Sequence, residues 1–397
     1  MVSTDLNCNG RVLGQLVTVA ASSAQAEHLF RFDDRQPAQY PQKPRTIAPR
    51  FGNSKMANQS SDTPNRTLST SIPYTTGLGG WHDLDSLIRS VPTEKITLIV
   101  GAGIHRVPKW SCPLTSESAM LLSSWNTLLD SVIPKEPSSQ SPTLRWEMGI
   151  LQSGVEDQAS KRSKALLKTL QSNVKSAESA VLKRPDFYKL VKPILAADCV
   201  QHILSLNFDL TVEELLLSGG SRFDLVFNHI KGEKPSLKKT GNVGQLRLRR
   251  KIGERSVWHP HGDRTNTFEQ CVGLRDYALS IAALESGRCA YKERERKKTL
   301  NPEEIRDWVE LMMSTHLIFL GTSIDRSEWD IWFALVNRWR NGANKPQHRT
   351  FVLTTGDEHE GLPSQITRLS APSYETGWAW LDAVMNGHCG DSLSASK

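Results

Sequence analysis

The chain has 397 residues, a formal net charge of +7 and 38% hydrophobic residues. That length accommodates one large domain or two ordinary ones, and the low apolar share implies that part of the chain lies outside a core. No window holds the roughly 18 consecutive apolar residues of a membrane span, and the six cysteines are scattered without a C-x-x-C pair, which argues against a zinc ribbon and against a disulfide framework. With no basic-then-apolar leader at the N-terminus either, a cytoplasmic protein without a metal is expected.

Residues 1–78 are rich in Ser, Thr, Asn, Gln and Pro, sustain no period and are expected to form a disordered tail. "GWHDLDSLIRSV" predicts an amphipathic helix with Leu84, Leu87 and Ile88 on one face. The strand Ile96–Val100 then breaks into Gly101-Ala102-Gly103. "SESAMLLSSWNTLLDSVIP" predicts a helix up to Pro134, further helical patterns run from Leu144 to Leu182, and "RPDFYKLVKPILAAD" predicts another helix. Together they suggest a helical insertion over about 135–196. "VQHILSLNFD" predicts a second strand with a helix from Thr211, "RFDLVFNHI" a third strand and "RSVWHPHGD" a fourth. A helix near Pro302–Met313, the strand "THLIFLGTS", the helix "RSEWDIWFALVNRWRN" and the strand "RTFVLTT" follow.

Nearly continuous apolar strands alternating with helices predict an α/β fold, a Rossmann-like parallel sheet covered by helices on both faces. The expected domain spans 79–360, leaving 361–397 as a C-terminal segment. Between Lys231 and Arg255 nine Lys/Arg face two Glu, marking a basic insertion over about 229–255, and "YKERERKKTL" is a second charged block. Clustered cations suit a phosphate-rich partner. Neither block has the interleaved aromatics of a single-strand platform, so solvated faces are favoured over nucleic-acid binding.

Polar residues gather where the predicted strands end: Gly101-Ala102-Gly103, Asn207 with Asp209, His261-Gly262-Asp263, and Gly321-Thr322-Ser323. Ligands of open α/β sheets bind outside the carboxyl ends of the strands. Glycines let a backbone approach a phosphate, although a strand-to-helix turn uses glycine regardless. The conjunction of four such ends carries the signal.

In order and approximate spacing, "GAGIH", "SLNFD", "HPHGD" and "LGTS" resemble the motifs GAG-x-S, T-x-N-x-D, HG and GTS of the SIR2 (sirtuin) family, over roughly Ile96 to Thr355. The resemblance implies an NAD-binding domain with Gly101, Ala102 and Gly103 along the pyrophosphate. It places Asn207 and Asp209 beside the nicotinamide ribose, His261 as catalytic base, and Gly321, Thr322 and Ser323 on the adenosine half or the phosphates. His105 stands where the family carries Ser at that phosphate or ribose contact. The zinc ribbon of protein-deacylating members is missing, and the early Trp helix "SSWNTLL" resembles the SIR2-like NADases of bacterial anti-phage defence.

That subfamily implies NAD+ as substrate, cut to nicotinamide and ADP-ribose so that the infected cell is depleted of NAD, with no zinc. It also implies a homo-oligomer or a regulatory partner such as an ATPase or an Argonaute-type protein. An NAD-dependent protein deacylase or ADP-ribosyltransferase, and a non-catalytic NAD- or ADP-ribose-binding signalling module, are the competing functions.

The chemistry agrees with a hydrolase. Breaking the nicotinamide–ribose bond expels a neutral pyridine through an oxocarbenium-like transition state. An amide such as Asn207 can orient water and ribose hydroxyls, and His261 can take up a proton near neutral pH. Plainer roles stand beside these. Asn207 or Asp209 can cap the helix near Thr211, His259 is expected to be structural, and Asp325 and Asp330 are expected as cap and solvent-facing residues. Trp329, Trp332, Phe333 and Trp339 read as core or interface, and Cys199 and Cys271 as buried small hydrophobes.

Overall fold

The computed structural model describes residues 79–387, except 91–95, 111–119, 134–140, 153–155, 184–188, 218–223, 228–245, 247, 266–270, 301–304, 323, 325–327, 343–347 and 356–361. The expected tail and most of the basic insertion therefore lie outside the described residues, as do Ser323 and Asp325. The strands are β1 (Ile96–Val100), β2 (His202–Ser205), β3 (Asp224–Phe227), β4 (Leu248–Ile252), β5 (Arg255–Trp258), β6 (His316–Leu320), β7 (Thr350–Thr355) and β8 (Ile366–Ala371). The helices are α1 (Gly79–Ser90), α2 (Trp125–Asp130), α3 (Pro142–Leu151), α4 (Glu156–Val181), α5 (Lys192–Leu195), α6 (Thr211–Leu216), α7 (Leu274–Arg296), α8 (Trp308–Ser314), α9 (Trp329–Gly342) and α10 (Tyr374–Met385).

The strands make one eight-stranded sheet in the order β3-β4-β5-β2-β1-β6-β7-β8. From β5 to β8 every neighbouring pair is parallel. The run "ITLIV" is buried throughout, and apolar but for Thr97, because it faces two cores. Ile96, Leu98 and Val100 join one apolar layer with Ile203, Val257, Ile318 and Phe351, packed by Trp81 of α1, Val174 of α4 and Trp378 of α10. Ile99 joins the other with Leu204, Trp258, Phe319 and Val352, packed by Leu284 of α7, Met312 of α8 and Leu335 of α9. The expected α/β sheet covered on both faces is thus the observed architecture, and no helix of the described residues is long and apolar enough to cross a membrane.

Several local expectations differ. β4 pairs antiparallel with both β3 and β5, so the sheet is not parallel throughout. The β4–β5 hairpin turns on Gly253-Glu254, with Gly253 at φ +58, the positive first position that a II′ hairpin turn requires. The segment after residue 360 continues the sheet: β8 pairs with β7 over six registered residues, and α10 packs on it.

The helix expected up to Pro134 contracts to α2, because the Ser124 hydroxyl accepts the Thr127 amide and caps a new helix start. The helix expected over 184–198 is reduced, within the described residues, to a short α5 with Pro193 in its first turn, where a missing N–H costs nothing. Asp307 likewise resets the start of α8 by accepting the Glu310 amide at 2.8 Å.

Two glycines in the left-handed region do different work. Gly253 has nothing within 4 Å of a would-be Cβ, whereas a Cβ on Gly321 (φ +62) would strike the Ile104 amide and lie 2.8 Å from the Gly103 carbonyl carbon. Gly253→Ala is expected to cost about 1 kcal/mol, the conformational penalty alone, and Gly321→Ala about 3 kcal/mol. Urea denaturation midpoints measure both; equal costs would show that the loop contact is not rigid.

Candidate functional site

Since β5, β2, β1 and β6 are neighbours, their carboxyl ends lie side by side. The loops that begin there carry Gly101 to His105, Leu206 to Asp209, His259 to Asp263, and Gly321 with Thr322. Two of these loops are locked together. Gly101 N donates to Leu320 O at 2.9 Å, Gly103 N to Gly321 O at 2.6 Å, and Ile104 N to Gly101 O at 3.3 Å. A Cβ on Gly101 would lie 2.6 Å from the Thr322 Cβ, and one on Gly103 2.6 Å from Gly321 O. The glycines are therefore needed for the approach of the two loops to each other, and the amides of Gly101 and Gly103, expected along a pyrophosphate, are donated to protein carbonyls. Ala102 O in turn lies 3.0 Å from His105 Nδ1.

Beyond Gly321, the Thr322 hydroxyl accepts the Ile324 amide at 3.1 Å. Ile324 is buried at φ +46. A β-branched residue there is strained, a condition that collects at ligand clamps and switch regions.

Three buried histidines each meet a carboxylate from a different element. His105 Nε2 lies 3.3 Å from Asp209 Oδ1, His259 Nε2 lies 2.7 Å from Glu213 Oε1, and His261 Nε2 lies 2.9 Å from Asp330 Oδ2. Burial by itself would lower each imidazole pKa, but the partner carboxylate outweighs it, so all three are raised, His259 to about 9. Burial would likewise raise Asp209; the charge and hydrogen bond of His105 and the bonds from Thr211 hold it at about 2.

His105, expected to meet a phosphate or ribose, thus points inward to Asp209. Asp209 also accepts the Thr211 amide at 3.0 Å, but the N-cap position of α6 is Leu210, so neither Asn207 nor Asp209 is the cap. His259 matches its structural reading, with Nδ1 donating to Asn207 O at 2.9 Å. His261, the expected base, is 1% exposed.

Asp330 corrects the sequence reading: it is 0% exposed and bonded to His261, not solvent-facing. Trp329 beside it is 66% exposed, so of the core-or-interface reading of the aromatic stripe the core half does not hold for it. Asp330 shares the i, i+4, i+8 row of α9 with buried Ala334 and Arg338, a row with two charged members that shows no apolar period in the sequence.

Charges that the sequence left on a solvated face are also internal. Arg250 of β4 reaches Asp263 Oδ2 at 2.6 Å and lies 3.4 Å from Glu213 Oε1, both buried. Glu178 of α4 accepts the Leu210 amide at 2.7 Å and pairs with Arg264 through both oxygens, at 2.8 and 2.6 Å, while Arg264 N donates to Phe208 O. The helical insertion is thereby tied to two of the site loops. The last turn of α7 behaves as expected of a charged block, with Arg296 and Lys297 paired to Glu293 on an exposed face.

Asn207 follows β2 in the same region. It is 8% exposed, yet its Nδ2 has no hydrogen-bond partner among the described residues. Among the described residues no group of three or more His, Cys, Asp or Glu side chains is placed to hold a metal ion. No protein-family model matches the chain, and no curated protein matches it significantly.

The raised imidazoles fix a pH dependence. A raised folded pKa gives stability that is complete below the unfolded value of 6.5 and is lost as pH rises toward about 9 for His259. Unfolding free energy from urea titration is expected to fall over that interval, by at most about 3 kcal/mol for this pair. His259→Gln is expected to flatten the slope; an unchanged slope in that variant would refute the assignment.

Proposed function

We propose that the chain is a SIR2-like NAD+ glycohydrolase that cuts the nicotinamide–ribose bond to give nicotinamide and ADP-ribose. The observation that carries this reading is the Asn207 amide, buried at the end of β2 without a partner for Nδ2 among the described residues. Buried polar groups are almost always bonded, so an orphan at the carboxyl end of a central strand calls for a ligand acceptor. Ribose hydroxyls and a carboxamide are such acceptors. His261 follows from β5, the neighbour of β2, with its Nδ1 edge 3.4 Å from Leu206 O, the residue before Asn207.

In the reaction, the oxygen of a water bonds to C1′ of the ribose as the C1′–N bond breaks and its electron pair leaves on nicotinamide. The water's proton passes to His261. The carbohydrate centre becomes oxocarbenium-like between the two events, and the Asn207 amide orients the hydroxyls around it. A role in NAD depletion during anti-phage defence, and control by oligomerisation or by a partner ATPase or Argonaute-type protein, rest on the motif resemblance.

Nicotinamide release from NAD+ followed by HPLC tests the reading. Release by the wild-type protein is expected without any acetylated peptide, and Asn207→Ala and His261→Ala are each expected to lower it by at least ~10²-fold. Release that requires the peptide would mark a deacylase instead, and release unaffected by Asn207→Ala would remove the observation on which the reading stands.

A further inference from the structure

We infer that Asp330 is the positioning residue for His261, holding the imidazole by Nε2 so that Nδ1 is the nitrogen presented to the substrate. This inference rests on the NAD+ hydrolase reading of the site and deepens it.

The carboxylate is itself fixed at two points. Oδ1 accepts the Ile331 amide at 2.9 Å, inside the first turn of the 14-residue α9, and Oδ2 takes His261 Nε2 at 2.9 Å. A helix N-terminus favours an anion there. The histidine's backbone is pinned as well: Cys271 N donates to His261 O at 2.8 Å, and Gly262, at φ +76, donates to His259 O at 3.1 Å. With the main chain held, ring orientation is what remains to be set, and Asp330 supplies the short contact that sets it.

The two ring nitrogens are held unequally. Nε2 has Asp330, with the Tyr277 hydroxyl at 3.5 Å, whereas among the described residues Nδ1 meets the Leu206 carbonyl at 3.4 Å. The weaker contact is the one an entering hydroxyl or water can replace, and its acceptor belongs to the residue before Asn207. A proton kept on Nε2 by the carboxylate leaves the lone pair on Nδ1 in the neutral form. Water's proton then goes to Nδ1, giving an imidazolium whose charge Asp330 balances.

The ionisable groups facing His261 are Asp330 and Glu328 at the start of α9, Tyr277 of α7, and Cys271, whose thiol burial holds far above its ordinary range. The two carboxylates favour imidazolium. A base acts only when deprotonated, so turnover is expected to rise with pH through the raised value and to level above it.

The test uses the full chain as wild type, Asp330→Asn, Asp330→Glu, His261→Gln and the double variant Asp330→Asn/His261→Gln. Nicotinamide release is measured against pH, and the ring of His261 is followed by NMR on protein labelled in its imidazole carbons. Asp330→Asn is expected to lower kcat on the order of 10²-fold with KM little changed and to move the rise in rate to lower pH. It is expected to add no loss on top of His261→Gln, and Asp330→Glu is expected to restore part of the activity.

A rate loss with an unmoved pH profile, or an equal loss in the His261→Gln background, would show a merely structural ion pair and overturn the inference. The NMR arm does not depend on turnover. The His261 ring must titrate at lower pH in Asp330→Asn, and an unchanged titration overturns the pairing even where release is normal. If Asp330→Asn does not fold, the displaced carboxylate of Asp330→Glu must shift that titration instead. A shifted titration with no nicotinamide release by the wild-type protein would overturn the hydrolase reading, and the positioning role with it.

Discussion

Where β1 and β6 end, two stretches of backbone meet with no side chain between them. The Gly103 amide donates to the Gly321 carbonyl at 2.6 Å, and a Cβ on either residue would overlap the other loop. The parallel register of these strands, Val100 opposite Leu320, delivers the loops to that contact. Everything placed after them inherits the constraint. His105 is aimed at Asp209 from the first loop, and α9, with Asp330 in its first turn, starts a few residues beyond the second. Glycine at these positions is a demand of packing before it is a demand of any ligand.

The second constraint is the disposition of buried charge. His105–Asp209, His259–Glu213 and His261–Asp330 each join segments that follow different strands, and Arg250 adds a cation between Glu213 and Asp263. Removing one member of such a pair strands the other, at a cost of about 3–5 kcal/mol, whereas replacing both with apolar groups is often neutral. The pairs therefore contribute orientation more than net stability: each fixes an imidazole plane relative to a neighbouring strand end. Asn207 lies among them with its amide nitrogen unmatched among the described residues.

The parts of this fold that could be read from the sequence are those whose burial is two-sided. "ITLIV" and "HLIFL" are buried at every position and apolar except at Thr97 and His316 because both faces are covered, and no loop or amphipathic helix looks like that. β4, "LRRKI", gave no such signal: three of its five residues are basic, and Arg250 is accommodated by carboxylates brought from elsewhere in the chain. β8 was obscure for a different reason, since an edge strand with burial on alternate stretches only breaks the apolar run. In the site, the motif residues were visible as types at strand ends, but their partners were not. Glu213, Asp330 and Glu178 look like ordinary surface acids on helices until the fold turns them inward.

The tie between α4 and the Arg264 loop has a mechanical consequence. A 26-residue helix is about 39 Å long, and Glu178, which grips both Arg264 and the Leu210 amide, sits three residues from its C-terminal end at Val181. The same helix is packed into the core through Leu170, Val174 and Ala177 and tied by Asn173 to Ser131. The residue that holds the loops after β2 and β5 therefore stands on a rod anchored along several turns rather than at one point.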